Sequence, residues 1–253
     1  MVSLIKSYSF IQKGNFFYLI AIFNLFFLSA YCQKHDYTQN NFSGGIGFFR
    51  LGTATMDLTS VNNSLKKKDL PGISNGFTSL GVGGYRLINN AVFGIAGQGL
   101  ISVQHENADY NVQVTSGYGA LYLGYIIYQK EKLQVYPMFG LGGAALNLNI
   151  KSNGVPGNFD GFLKSPFLEG SVINGNVIMN FELNADYFLT GFIKDDILKG
   201  WVGGLSVGYL VSPFKSGWQR DGFKIAESPV LRIESFYITL KLGGGKLKVQ
   251  NKI

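Results

Sequence analysis

Asn176-Val177-Ile178-Met179-Asn180-Phe181-Glu182-Leu183-Asn184-Ala185-Asp186-Tyr187-Phe188-Leu189 alternates along its whole length. Odd positions carry Val177, Met179, Phe181, Leu183, Ala185, Tyr187 and Leu189. Even positions include Asn176, Asn180, Glu182, Asn184 and Asp186. Side chains of a strand point to opposite faces in turn, so one face is apolar and the other polar with two carboxylates. A helix would scatter both sets around its axis. Strands of globular domains are usually about 5–6 residues long, and this one is far longer. An apolar outside around a wet inside is the pattern of a transmembrane β-barrel. A sandwich or lipocalin-like barrel with the apolar face inward shows the same alternation, so this stretch leaves both open.

Composition favours the first. Of 253 residues 34 are Gly, charged residues are 15%, and aromatics are also 15%. Average chains carry about 25% charged residues and half this share of Gly. Few charges, with many Gly, Tyr and Phe, suit a lipid-facing surface with aromatic girdles. After residues 16–31 no second long apolar run follows, which excludes a bundle of apolar helices of ~20 residues each. The formal charge is +7, and +5 once residues 1–32 with Lys6 and Lys13 are set aside. Lys66-Lys67-Lys68 is the one dense basic run, a solvated loop or helix face, and no nucleic-acid signature is present.

The N-terminus reads as a secretory signal peptide over residues 1–32. Lys6 and Lys13 precede the apolar run Phe16 to Tyr31, closed by Ser29, Ala30 and Cys32. An uncleaved anchor helix and a lipidated Cys32 are the two other readings. Cys32 is the only cysteine, so no intrachain disulfide forms. Residues 33–41 form a polar lead, residues 42–244 the barrel domain, and residues 245–253 a basic tail.

Eight strands are expected: 42–50, 77–88, 91–104, 110–128, 133–150, 176–189, 201–212 and 231–242. Asn89-Asn90 makes a two-residue hairpin turn, since Asn tolerates positive φ. Met56, Leu58, Val61 and Leu65 fall near helical spacing and predict a short amphipathic helix, stopped by Pro71-Gly72. In the fifth strand the apolar face passes from Val135, Phe139 and Leu141 to Leu146, Leu148 and Ile150 across Gly142-Gly143. Paired glycines at such a change predict a β-bulge or a bend. The connections segregate by length: 53–76, 105–109, 151–175 and 213–230 lie at one end, and 89–90, 129–132 and 190–200 at the other. An even strand count, with short turns on one side and longer loops on the other, is the layout of outer-membrane barrels. The expected fold is therefore all-β, a closed antiparallel up-and-down transmembrane barrel of about eight strands.

Val135-Tyr136-Pro137-Met138-Phe139-Gly140-Leu141-Gly142-Gly143 is similar to the Tyr-Pro, Gly-rich strand of small outer-membrane β-barrel proteins of Gram-negative bacteria, the OmpA/OmpX-like eight-stranded class. Gly84-Tyr85-Arg86-Leu87-Ile88-Asn89-Asn90 resembles their inner hairpins. The resemblance covers residues 42–242. It implies residence in the outer membrane, with membrane lipid and the barrel assembly machinery as partners and no cofactor. It further implies a structural or surface-binding role rather than catalysis, through an extracellular ligand or protein. Members often end on an aromatic residue; here Leu240-Lys241-Leu242 is followed by Gly243-Gly244-Gly245.

Candidate site residues fall in two groups. Glu182 and Asp186 point into the lumen and are positioned to pair with Lys241, with Asn180 and Asn184 on the same face, because paired charges fill a narrow interior at low cost. In the long loops Leu65, Phe159, Phe162, Trp218 and Phe223 are apolar or aromatic, and Trp218 with Arg220 is the leading contact pair, since Trp and Arg are enriched in binding hot spots. Catalysis has one slender candidate, His105 with Ser102 and Glu106, as in lipid-modifying barrel enzymes. Ser102 and His105 are an odd number apart and face opposite ways on a regular strand. No metal-ligand spacing occurs. The alternative to a membrane barrel is a secreted lipocalin-like carrier of an apolar ligand.

Overall fold

The computed structural model of the chain describes residues 41–130, 132–154, 169–194 and 197–250. The N-terminal leader and lead before Asn41, with Phe159 and Phe162, lie outside the described residues. Eight long strands carry the fold: β1 (Asn41–Met56), β2 (Gly76–Ile88), β3 (Ala91–Ser102), β4 (Tyr110–Tyr125), β5 (Leu133–Ser152), β6 (Glu169–Lys194), β7 (Ile197–Val211) and β8 (Glu234–Gln250). Each pairs antiparallel with the next, and β8 pairs with β1, so the sheet closes on itself.

The ladders give the stagger of the ring. Partners run Ile46–Tyr85–Gly94–Tyr122–Gly140–Asn180–Leu210–Ser235 and return to β1 at Met56, ten residues beyond Ile46. Strands in such a closed, sheared sheet tilt by roughly 35–45°, and eight of them leave an interior that side chains can fill.

The alternation read in the sequence sorts the two faces. Val177, Leu183, Phe93 and Ile95 are about half or more exposed on the outside, whereas Asn180, Glu182, Asn184 and Gln98 are buried within. Phe181 faces out and packs its ring against Phe139 at 5.2 Å. Leu51, Leu80, Leu121, Leu123, Leu205, Leu240 and Leu242 extend the outer apolar belt, with Tyr125, Tyr187 and Trp201 near its turn end. This is a transmembrane β-barrel, inside-out relative to a soluble carrier.

Several boundaries differ from those expected. β1 continues to Met56, and β8 starts at Glu234 and runs through Gly243-Gly244-Gly245 to Gln250, so residues 245–250 are strand rather than tail. The expected connection over 190–200 is mostly strand, because β6 extends to Lys194 and β7 begins at Ile197. No bulge forms at Gly142-Gly143: β5 keeps an unbroken register with β4 and β6. Leu146 and Leu148 stay in phase with Tyr136 and Met138 and face the lumen. The apolar residues change face because the lumen turns apolar toward the loop end. The register shift lies instead between Phe188 and Thr190 of β6, opposite Trp201 and Val202.

Turn chemistry follows the residues. Asn89 and Asn90 take φ of 50° and 70°, as a type I′ hairpin needs. Helix α1 (Thr59–Lys66) buries Val61 and Leu65. Before it, the Asp57 carboxylate accepts bonds from the Thr59 amide (2.9 Å) and hydroxyl (2.6 Å). These bonds hold its carboxyl below the usual carboxylate range. Their contribution is therefore present at neutral pH and is lost as pH falls through that lowered value.

Leu183 lies in the middle of the outer apolar belt. Leu183→Arg is expected to cost about 2–4 kcal/mol in reversible unfolding from lipid vesicles. A loss under about 0.5 kcal/mol, as at an ordinary solvated surface position, would contradict the lipid-facing assignment.

Candidate functional site

The lumen holds three layers. At the turn end Phe48, Leu87, Val92, Ile126, Phe188, Leu198 and Leu247 form an apolar layer. At the loop end Val112, Leu146, Ile178 and Leu210 meet α1 and the β7–β8 loop, whose Trp218, Leu231 and Ile233 close over the mouth. Between them lies a charged belt.

All five residues named from the sequence stand in that belt, but the pairing is richer than expected. Asp186 pairs with Lys241 at 2.5 Å. Its other oxygen accepts from Tyr85 (2.8 Å) and Tyr136 (2.5 Å). Glu182 does not depend on Lys241: Arg50 grips it with two bonds of 2.8 Å, and Tyr237 donates a third at 2.7 Å. Asn184 accepts from Lys241 (2.9 Å) and Ser206 (2.7 Å). Asn180 donates to Tyr122 and Tyr237 at 2.7 and 2.8 Å. The cations also lie over aromatic rings, Arg50 at 4.9 Å from Phe48 and Lys241 at 5.2 Å from Tyr136.

Two glycines make room for these bulky groups. A Cβ at Gly204 would collide with the Asp186 carboxylate, and one at Gly208 with the Tyr237 ring. The small residues of β7 are thus the counterpart of the large ones on β6 and β8.

Arg50 is the residue that sequence reasoning missed. It is the only charge between Asn41 and Met56 and shares its phase with Ile46 and Phe48. A lone charge on a membrane-spanning strand faces inward, because lipid would leave it unpaired. That signal was available. Its partner, 132 residues away, was not.

The loop candidates divide. Trp218 is 2% exposed and belongs to the apolar layer, so it offers no contact surface. Arg220 is exposed, 3.7 Å from Asp221. It sits in a hairpin, Gln219–Arg220 against Phe223–Lys224, whose Asp221-Gly222 turn has φ of 52° and 83°. Gln219 also pairs with Ile173, which joins the hairpin to β6. Leu65 is buried in α1, whereas Phe223 is 78% exposed.

Under this hairpin, β4, β5 and β6 continue beyond the apolar belt. Their outer positions change from Leu121, Leu141 and Val177 to Gln113, Asn149 and Ser171. A groove of about 440 Å³ is lined there by Gln104, Asn111, Gln113, Asn149, Ser171 and Arg220, among others. Ser171 donates to Asn147 at 2.7 Å on the same face.

His105 does not meet Ser102. Its Nε2 accepts from the Ser74 amide at 3.2 Å, while Ser102 is buried and accepts from the Val114 amide at 3.1 Å. Among the described residues no group of three His, Cys, Asp or Glu is placed to hold a metal ion.

No family model matches the chain, and no curated protein matches it. Solved structures do. Ail, the attachment invasion locus protein of Yersinia pestis, is 8% identical with a TM-score of 0.43, covering 82% of this chain and 99% of its own. The outer membrane protein OprG from Pseudomonas aeruginosa is 10% identical with a TM-score of 0.39, covering 82% and 96%. Neisserial surface protein A is 11% identical with a TM-score of 0.35, covering 82% and 96%. The likeness is one of architecture, at identities too low to carry function.

Glu182→Gln would leave Arg50 charged, buried and without its counter-ion. The expected loss is about 3–5 kcal/mol of unfolding free energy. Arg50→Met with Glu182→Leu together should recover most of it, because the uncompensated charge is gone. Trp218→Ala should cost about 3–5 kcal/mol through the cavity it leaves. Equilibrium unfolding monitored by heat-modifiable gel migration checks all three.

Proposed function

We propose that the chain is a non-enzymatic outer-membrane β-barrel protein, a rigid sealed barrel that presents a β-sheet and loop surface outside the cell. One observation carries this reading. Among the described residues buried side chains occupy the lumen in three successive layers, while β4, β5 and β6 run past the apolar belt and end in a polar face. The expected signal peptide agrees with export. A closed charged belt between two apolar layers does not favour a pore. It acts as a strut: its paired charges and phenols specify one packing of the interior.

The outer face supplies amide side chains, each both donor and acceptor, with Arg220 at the edge and Phe223 projecting beyond it. Such a surface suits a polar extracellular partner, a glycan or a protein segment. Loops and strand ends held by a rigid scaffold are where binding is usually placed. The lipocalin-like alternative needs an apolar cavity, and the apolar surface here is on the outside.

The burial of Trp218 dictates the test. Deleting its whole loop would open the mouth of the barrel, so substitutions must spare it. Arg220→Ala with Phe223→Ser, displayed on intact cells, is expected to lower retention on an array of glycans and matrix proteins by about tenfold or more, as at a binding hot spot. Unchanged retention in a barrel that still shows heat-modifiable migration would rule this face out.

A further inference from the structure

At the turn end the outer surface has a different character. The ladder places Lys199 of β7 opposite Lys246 of β8, Lys246 opposite Gly45 of β1, and Gly45 opposite Arg86 of β2. All four positions are exposed on the outer face, and Lys248 follows two residues below Lys246. Like charges directly opposite each other on one sheet face are destabilising. Among the described residues no carboxylate lies on the outer face at this end; Glu131, between β4 and β5, and Asp195 and Asp196, between β6 and β7, fall outside them. Gly45 has no side chain, so the two cations flank an open socket.

The next row toward the apolar belt is Trp201, Gly244, Gly47 and Gly84, with Ile95 beyond it. A Cβ on Gly47 would meet nothing within 4 Å, so packing inside the chain does not require glycine there. Beside Arg86 a shallow, open depression of the outer surface is bordered by Gly84, Phe93, Ile95 and Leu121. Cations at the boundary, a smooth floor above them and apolar walls on either side match the parts of one kind of molecule.

We infer that this face is a binding site for an anionic phospholipid in the leaflet at the turn end. The phosphate sits among Lys199, Lys246 and Arg86, relieving their mutual repulsion, and an acyl chain lies on the Gly244–Gly47–Gly84 floor between Trp201 and Ile95. The site depends on the lipid-facing barrel and not on any extracellular partner.

The test uses the full chain in nanodiscs of equal phosphatidylglycerol and phosphatidylcholine, with retained lipid counted by native mass spectrometry. The wild-type barrel should retain phosphatidylglycerol preferentially. The triple variant Lys199→Gln, Lys246→Gln and Arg86→Gln should lose that preference by about fivefold per cation removed. A control triple at the opposite end, Lys66→Gln, Lys67→Gln and Lys68→Gln, should leave it unchanged. Arg86→Gln alone gives the decisive reading should the first triple fail to fold. Equal retention of both lipids by the wild type overturns the inference. So does an equal fall in both triples, which would reveal net charge alone, or an undiminished preference in Arg86→Gln.

Discussion

The pairing of β1 with β8 is the constraint on which the remaining structure depends. In hydrocarbon no water replaces a missing backbone partner, so an open sheet edge is excluded and only a closed sheet can span. Sixteen register pairs from Asn41–Gln250 to Met56–Ser235 make that seam. Closure at eight strands with a ten-residue stagger then sets the bore, and the bore sets what fits inside.

Inside, the chain balances two costs. A narrow lumen cannot hold bulk water, so any charge must find its partner within the protein. Arg50 with Glu182 and Lys241 with Asp186 do so, and the tyrosine hydroxyls complete the carboxylates. The gain is specificity more than raw stability: buried ion pairs often contribute little net free energy, but a slipped register would strand every one of these groups. Apolar layers lie above and below the belt. Trp218, which as a sequence feature looks like a contact residue, serves the upper layer.

Outside, the two ends differ. The loop end carries mixed charges, amides and a hairpin docked on β6, whereas the turn end carries cations over a glycine floor. A lipid-facing barrel has no other surface with which to distinguish its two leaflets. The asymmetry is written in outward-facing residues that take no part in the packing of the interior.

The sequence by itself determined the barrel. Alternation over 176–189, Asn89-Asn90 and the segregation of loop lengths depend on local periodicity and local turn geometry, which neighbouring residues express directly. Those signals also placed Glu182, Asp186 and Lys241 on one polar face. They failed where both faces are apolar or small, at Gly142-Gly143, where a change of lumen chemistry resembled a change of phase. Tertiary structure alone decided that Arg50 meets Glu182, that Trp218 seals the mouth, and that Lys199, Lys246 and Arg86 share a row. Each of these rests on the stagger between strands far apart in the chain, a quantity fixed by closing the whole ring and carried by no single stretch of it.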